Sequence, residues 1–265
     1  MPSEEAVLSE IDASGVATVT LNRPAVSNAY NDALIDGLGD AFARLAGEPS
    51  LRVVVLRGAG RHFQAGADLA FLQQLRRAEP QDNIAFSRRT VAALEGLRDF
   101  PRPTVALVQG GCFGGGIGIV AACDVALAAE DAVFALTEVR WGITPAPILA
   151  LLVDRIGPRA LGRWALTGER FGAAEALRIG LVHEIVPAAE LAAAGARVVE
   201  HILMAAPEAT AMTKRLVADA VDAPDTPAFR ERIIEEAASR RRLPEAAEGL
   251  LSFAEKRKPN WYPGE

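Results

Sequence analysis

The chain has 265 residues, 50% of them hydrophobic and 23% charged, enough to bury a sizeable core in one large domain with an appended element or in two modest domains. Its net charge of −6 excludes a global electrostatic footprint for nucleic acid, while leaving room for a local basic patch that meets a phosphorylated ligand. The N-terminus is acidic and shows no leader pattern, and the longest apolar stretch, residues 105–129, is interrupted by glycines and Asp124, so the expectation is a cytoplasmic protein with no membrane partner.

In chain order, residues 16–21 alternate around β-branched side chains and read as a strand, closed by the turn residues Asn22-Arg23-Pro24. Asn31 can cap a helix whose apolar stripe includes Leu34, Leu38, Ala41, Phe42 and Leu45. Residues 51–56 read as a buried strand broken by Gly58-Ala59-Gly60. A loop then carries Phe63-Gln64-Ala65-Gly66-Ala67-Asp68, with Asp68 placed to cap a short helix. A helix over 85–97 stops at Pro101 and Pro103, and a strand follows over 104–108. Gly110, Gly111 and Gly114 to Gly116 turn the chain into a helix running towards Cys123. Short strands are expected at 125–128 and 132–135. This alternation argues an α/β core with largely parallel pairing. From Pro158 onward the pattern is mostly helical, over 160–166, 173–178, 188–204, 207–221 and 226–242.

Cys112 and Cys123 share one Gly/Ala-rich segment and have no metal-ligand spacing with His62, His183 or His201. They read as small buried hydrophobes, and no metal is expected.

Two Gly-rich turns can carry chemistry. The one at Gly111-Cys112-Phe113-Gly114-Gly115-Gly116 follows a strand and opens a helix. Unpaired N–H groups and the positive dipole end meet there, which suits a phosphate or a developing oxyanion. The dinucleotide fingerprint, the P-loop and the G-x-S-x-G elbow do not fit. Close helix–strand packing is the competing explanation for these glycines.

Four segments together resemble the enoyl-CoA hydratase/isomerase (crotonase) family: Leu21-Asn22-Arg23-Pro24 with Ser27-Asn28-Ala29, then residues 63–68, 110–124 and 134–142. The ending Glu248-Gly249 with Phe253-Ala254-Glu255-Lys256-Arg257 extends the resemblance over almost the whole chain. It implies a crotonase-like spiral of ββα units. Residues 1–190 would form the core with the active site, and 191–265 a helical region for oligomerisation into a trimer or hexamer. It implies an acyl-CoA thioester substrate, with coenzyme A as part of that substrate and no metal or redox cofactor.

The resemblance also assigns roles. The N–H groups of Ala67 and Gly115 match the donors that hold the thioester oxygen as charge moves onto it. Val26, Ala65, Gly66, Asp68 and Gly114 fall among the substrate- and CoA-binding positions, with Arg23 and Lys256 as further candidates for the CoA phosphates. Glu138 matches one of two catalytic glutamates; the other falls on Gly118, which has no side chain. The implied activity is syn addition of water to a 2-enoyl-CoA with Glu138 as acid and base. Residues 113–124 and 137–142 are similar to a bacterial subgroup that hydrates branched glutaconyl-CoA thioesters, in which Arg140 would pair with a substrate carboxylate or simply with a neighbouring residue. Three other readings stay open: a 3-enoyl to 2-enoyl-CoA isomerase working with a single glutamate, a thioester hydrolase, and a non-catalytic acyl-CoA-binding or RNA-binding relative. Acyl-chain selection is expected in residues 69–86 and 141–151.

Overall fold

A computed structural model describes residues 5–222 and 226–264. The chain opens with β1 (Val7–Ile11), β2 (Val16–Leu21), α1 (Asp32–Ala46), β3 (Val53–Gly58) and β4 (Gln64–Ala65). It continues through α2 (Leu69–Arg77), α3 (Pro80–Arg98), β5 (Thr104–Val108), β6 (Gly111–Phe113), α4 (Gly115–Ala122), β7 (Val125–Ala129) and β8 (Val133–Ala135). After these come α5 (Leu149–Thr167), β9 (Arg170–Gly172), α6 (Ala173–Arg178), β10 (Glu184–Val186) and the helices α7 (Leu191–Met204), α8 (Pro207–Asp222), α9 (Pro227–Arg240) and α10 (Pro244–Glu255).

The strands form two sheets. The larger runs β1-β2-β3-β5-β7-β10 and the smaller β4-β6-β8-β9. Three successive windings, β3-β4, β5-β6 and β7-β8, each lay one strand in the large sheet and the next in the small sheet before a helix follows, so the α/β spiral of ββα units is present. Pairing is parallel throughout except at β1 with β2 and β8 with β9. All five residues of β5 are buried, as a parallel strand covered on both faces requires. β2 instead alternates, with Ala17, Val19 and Leu21 turned into the core.

Local signals explain most element ends. The Asn31 side chain accepts from Leu34 N at 3.1 Å and starts α1. Asp68 accepts from Ala70 N at 3.0 Å and starts α2. Three segments differ from their sequence expectation. The helix expected over 85–97 begins earlier, at Pro80, because Pro suits a first helical position. The helix expected over 160–166 is the second half of α5, which bends at Gly157, where φ is 71°. Helix α10 was not anticipated, since Leu250, Leu251 and Phe253 make no inward stripe and stand exposed.

Helix α7 lies on the large sheet, its Leu191 and Ala194 packed with Val53, Val105, Leu107 and Leu127. Gly195 permits this approach, since a Cβ there would stand 2.8 Å from Leu107 Cδ2. The sheet and α8 are joined by the half-buried Asp124, which accepts from Thr104 N and from Lys214 Nζ at 2.8 and 2.7 Å. His62 and His183 use their Nδ1 atoms to accept from the backbone N–H groups of Gly111 and Ala126. No helix among the described residues is long and apolar enough to cross a membrane.

Candidate active site

The registers of the small sheet set out the site. Ala65 lies opposite Phe113, and Phe113 opposite Ala135. All three strands are parallel, so the segments that leave them, at 66–68, 114–116 and 136–138, emerge side by side at their carboxyl ends. Crevices at the carboxyl ends of parallel strands are where ligands enter α/β sheets.

The first segment is held by its surroundings. The buried Asn28 donates to the carbonyls of Ala59, His62 and Phe63 at 2.9, 2.9 and 3.1 Å, and its Oδ1 accepts from Arg23 N at 2.8 Å. That network ties the turn after β2 to the loop before β4. Tyr30 N then donates to Gly66 O, and Tyr30 O accepts from Asp68 N, at 2.9 and 3.0 Å. These two bonds bracket Ala67 as an isolated parallel bridge. The N–H of Ala67 itself has no acceptor among the described residues.

The second segment is held against the first. Gly114 has φ of 49° and donates to Ala135 O at 2.9 Å, a backbone conformation open to glycine and few other residues. Gly115 begins α4, so its N–H is one of the helix's orphan donors. Ala67 and Gly115 are half-buried, while Gly66, Gly114 and Gly116 around them are buried. Gln64 takes Gly66 between its amide atoms, donating to Gly66 O at 2.9 Å and accepting from Gly66 N at 2.8 Å. A Cβ on Gly116 would stand 2.6 Å from Gln64 Oε1 and 2.9 Å from Gln64 O. Gly116→Ala therefore wedges the two turns apart without deleting either donor. Steady-state kinetics are expected to show kcat falling roughly 10- to 100-fold, because small misplacements of such groups are costly.

The third segment delivers Glu138, the first residue of a 3-10 turn over Glu138–Trp141. A Cβ on Gly114 would stand 2.8 Å from Glu138 Oε1, so the carboxylate lies against the second glycine turn. Its Oε2 is buried with no hydrogen-bond partner. Burial raises the carboxyl above its ordinary range, as desolvation does to a charge lacking a partner. An accessible cavity of about 980 Å³ opens on this group, lined among others by Tyr30, Gly115, Glu138, Trp141, Phe86 and Ile148.

Gly118 lies one turn along α4 and is buried. The position a Cβ would take is 2.3 Å from Ile148 Cγ2 and 3.6 Å from Leu94 Cδ1. The space where a second carboxylate would stand is thus filled by apolar side chains, and among the described residues Glu138 is the one acidic group lining the cavity.

The other expected residues lie as follows. Arg23 forms an ion pair with Asp68 at 3.0 Å and donates to Ala29 O, so it braces the first turn. Burial works to raise the Asp68 carboxyl but is outweighed by the Arg23 hydrogen bond and the helix N–H groups, which hold it below the usual range. Ala65 donates to Ser27 O at 3.0 Å. Val26 is exposed on the 3-10 turn Pro24–Val26. Lys256 caps α10 in the left-handed region, with φ of 55°, and does not line the cavity. Arg140 is exposed and runs beside Gly168 rather than into the cavity. Residues 69–86 and 141–151, expected to select the acyl chain, supply much of the cavity wall, including Leu72, Leu75, Phe86 and Ile143. Sequence reasoning missed Tyr30 and Ile148. The available signal for Tyr30 was one aromatic side chain in the otherwise small and polar run Ser27-Asn28-Ala29-Tyr30-Asn31.

Comparison with known proteins agrees with this architecture. The family model described as enoyl-CoA hydratase/isomerase matches residues 12–263. A carnitinyl-CoA dehydratase of Proteus mirabilis is 33% identical over 251 residues, covering 93% of this chain and 94% of that protein. The crystal structure of an enoyl-CoA hydratase from Shewanella pealeana superposes with a TM-score of 0.91 at 31% identity, covering 97% of this chain and 96% of that one. The structure of Pseudomonas aeruginosa AtuE superposes with a TM-score of 0.92 at 38% identity, covering 97% and 100%.

Proposed function

The chain belongs to the enoyl-CoA hydratase/isomerase family, an enzyme family of the hydratase and lyase type, and from that premise we propose that it adds water reversibly and syn across the double bond of a 2-enoyl-CoA. The thioester oxygen lies between the N–H groups of Ala67 and Gly115. Water attacks C3, the π pair moves into the thioester as an enolate, and the developing charge rests on those two donors. One such donor contributes roughly 3–4 kcal/mol of transition-state stabilisation. Glu138 takes the proton of the water and returns it to C2. A carboxylate whose buried Oε2 has no partner, beside two N–H groups with no internal acceptor, is the observation that carries this reading, since an orphaned polar atom is costly to a fold that does not use it.

The acyl group is the finer question. Among the described residues lining the cavity, Arg76 is the one cation, and among the described residues its one hydrogen bond is to Gln73 at 3.3 Å. This supports an acyl chain with an acidic end, such as a branched glutaconyl thioester, and moves the pairing role from Arg140 to Arg76. The nucleotide of CoA extends past Val26, Ala65, Gly66 and Gly114, with Arg23 braced on Asp68 at its edge and Lys256 available to its phosphates. Leu250 and Phe253, 72% and 84% exposed on α10, support a homo-oligomer in which further copies cover that face.

A second reading, 3-enoyl to 2-enoyl isomerisation, is favoured by the filling of the Gly118 space with Ile148, because a single base suffices to move a proton from C2 to C4. Mass spectrometry of products formed in H₂¹⁸O from crotonyl-CoA, 3-methylglutaconyl-CoA and a 3-enoyl-CoA separates the two. Label at C3 of a 3-hydroxyacyl-CoA is the expected result. A shifted double bond without label would establish the isomerase instead.

A further inference from the structure

A water adding to C3 presents a lone pair and two O–H bonds. If its lone pair faces C3 and Glu138 takes one proton, the second O–H needs an acceptor for the water to keep one orientation. Gly118 offers none, and Ile148 fills the space beside it. The acceptor has to come from another wall of the cavity.

Most polar side chains on that wall are already committed. Gln64 holds Gly66 with both amide atoms. Asn83 donates to Leu75 O, and Ser87 and Thr90, which keep lone pairs of their own, are turned to Asn83 O and Phe86 O of their own helix α3. Arg76 carries N–H donors and no acceptor, and Thr144 is exposed on the segment after Gly142. Tyr30 differs from all of these. The edge of its ring lies 2.8 Å from the place a Cβ on Gly115 would take, so it stands at the end of the cavity that Gly115 and Glu138 line. Its hydroxyl has no hydrogen-bond partner among the described residues. Its direction is fixed, because its backbone brackets Ala67 and its ring stacks on Phe86 with centroids 6.1 Å apart.

We propose that the Tyr30 hydroxyl is the second contact of the adding water, accepting the O–H that Glu138 does not take and aiming the lone pair at C3. The inference rests on the hydratase reading given above. Atoms balance without a proton on Tyr30. The water O–C3 bond forms as the π pair moves into the enolate, one water proton passes to Glu138, and the same proton closes the C2–H bond. Burial, with the Glu138 carboxylate nearby, raises the phenol to about 12, so it stays neutral at working pH and keeps its oxygen lone pairs for the water.

The test compares two activities of the purified enzyme and its Tyr30→Phe and Tyr30→Leu variants. One is hydration of an enoyl-CoA. The other is exchange of the C2 hydrogen of a saturated acyl-CoA in D₂O, which uses Glu138 and the two N–H donors but no water at C3. Tyr30→Phe is expected to lower kcat for hydration roughly 10- to 100-fold, the loss of one hydrogen bond to a reacting group, with KM and the exchange rate unchanged. Tyr30→Leu also removes the ring against Gly115 and is expected to slow both activities. Hydration by Tyr30→Phe at the wild-type rate would overturn the proposal and leave the hydratase reading intact. Parallel loss of hydration and exchange in Tyr30→Phe would overturn it in favour of a structural role. A wild-type enzyme that exchanges C2 hydrogen yet hydrates none of the enoyl-CoA substrates would sink the hydratase reading itself, and the proposal with it.

Discussion

Glu138→Gln is expected to cut turnover by roughly 10²- to 10⁴-fold, the usual worth of a positioned acid–base group, while thioester binding is retained. The substitution keeps the shape of the side chain against Gly114 and replaces the acceptor that collects the proton. The two N–H donors of Ala67 and Gly115 are backbone groups and stay in place, so a residual rate from substrate positioning and charge stabilisation survives. Turnover of the variant at the wild-type rate would remove Glu138 from the mechanism and leave the N–H pair without a proton acceptor.

The same carboxylate links activity to pH and stability. Burial raises it above its ordinary value of 4.5. As the base in hydration it must be ionised, so kcat/KM is expected to climb with pH through that raised value. Stability runs the other way. Below 4.5 the group is protonated in folded and unfolded chains alike and contributes no difference between them. As pH rises, the unfolded chain releases its proton first, and the fold then bears a buried charge the unfolded chain carries freely in water. Melting curves of the wild type and Glu138→Gln should coincide in acid and separate above 4.5, with the Gln variant the more stable. Activity here is held at some cost in stability, as strained or desolvated active-site groups often are.

What could be read from residues alone divides along a physical line. β2, β5 and the caps Asn31 and Asp68 are local: their signals lie in alternation, in an unbroken apolar run, or in one side chain reaching N–H groups two or three residues on. β9 and β10 each have three residues, and they are strands only because β8 and β7 supply partners from elsewhere in the chain. Arg23 looked free to meet a phosphate because Asp68, the residue that engages it, lies 45 positions away. The departure at Gly118 was plain as a missing side chain. What replaces that side chain was not, since Ile148 comes from the Pro-rich segment after Trp141 and meets α4 only in the folded state. Tyr30 was hidden for the opposite reason. Its neighbours in sequence made it look like one more turn residue, whereas its ring points at a glycine in another strand–helix junction.

Gly118→Glu provides the sharpest test of that last packing contact. By itself it is expected to destabilise the protein by about 3–5 kcal/mol, the penalty for an unpaired charge in an apolar site, which corresponds to a Tm roughly 6–20 °C lower. The new Cβ would meet Ile148 Cγ2 at 2.3 Å and Ile148 Cβ at 3.0 Å. Ile148→Ala removes the first contact and leaves the second, at the cost of a core cavity worth about 2–5 kcal/mol when Gly118 is kept. If Ile148 and a residue-118 side chain compete for one volume, the double variant is less destabilised than the sum of the single ones, with a coupling of roughly 1–3 kcal/mol. Melting temperatures of the four proteins measure this directly. Additive losses would mean that the carboxylate, not the crowding, dominates at Gly118, and that Ile148 does not hold the space. A favourable coupling would make the single-carboxylate arrangement a matter of packing: the side chain at 148 occupies the volume that a second acid would need.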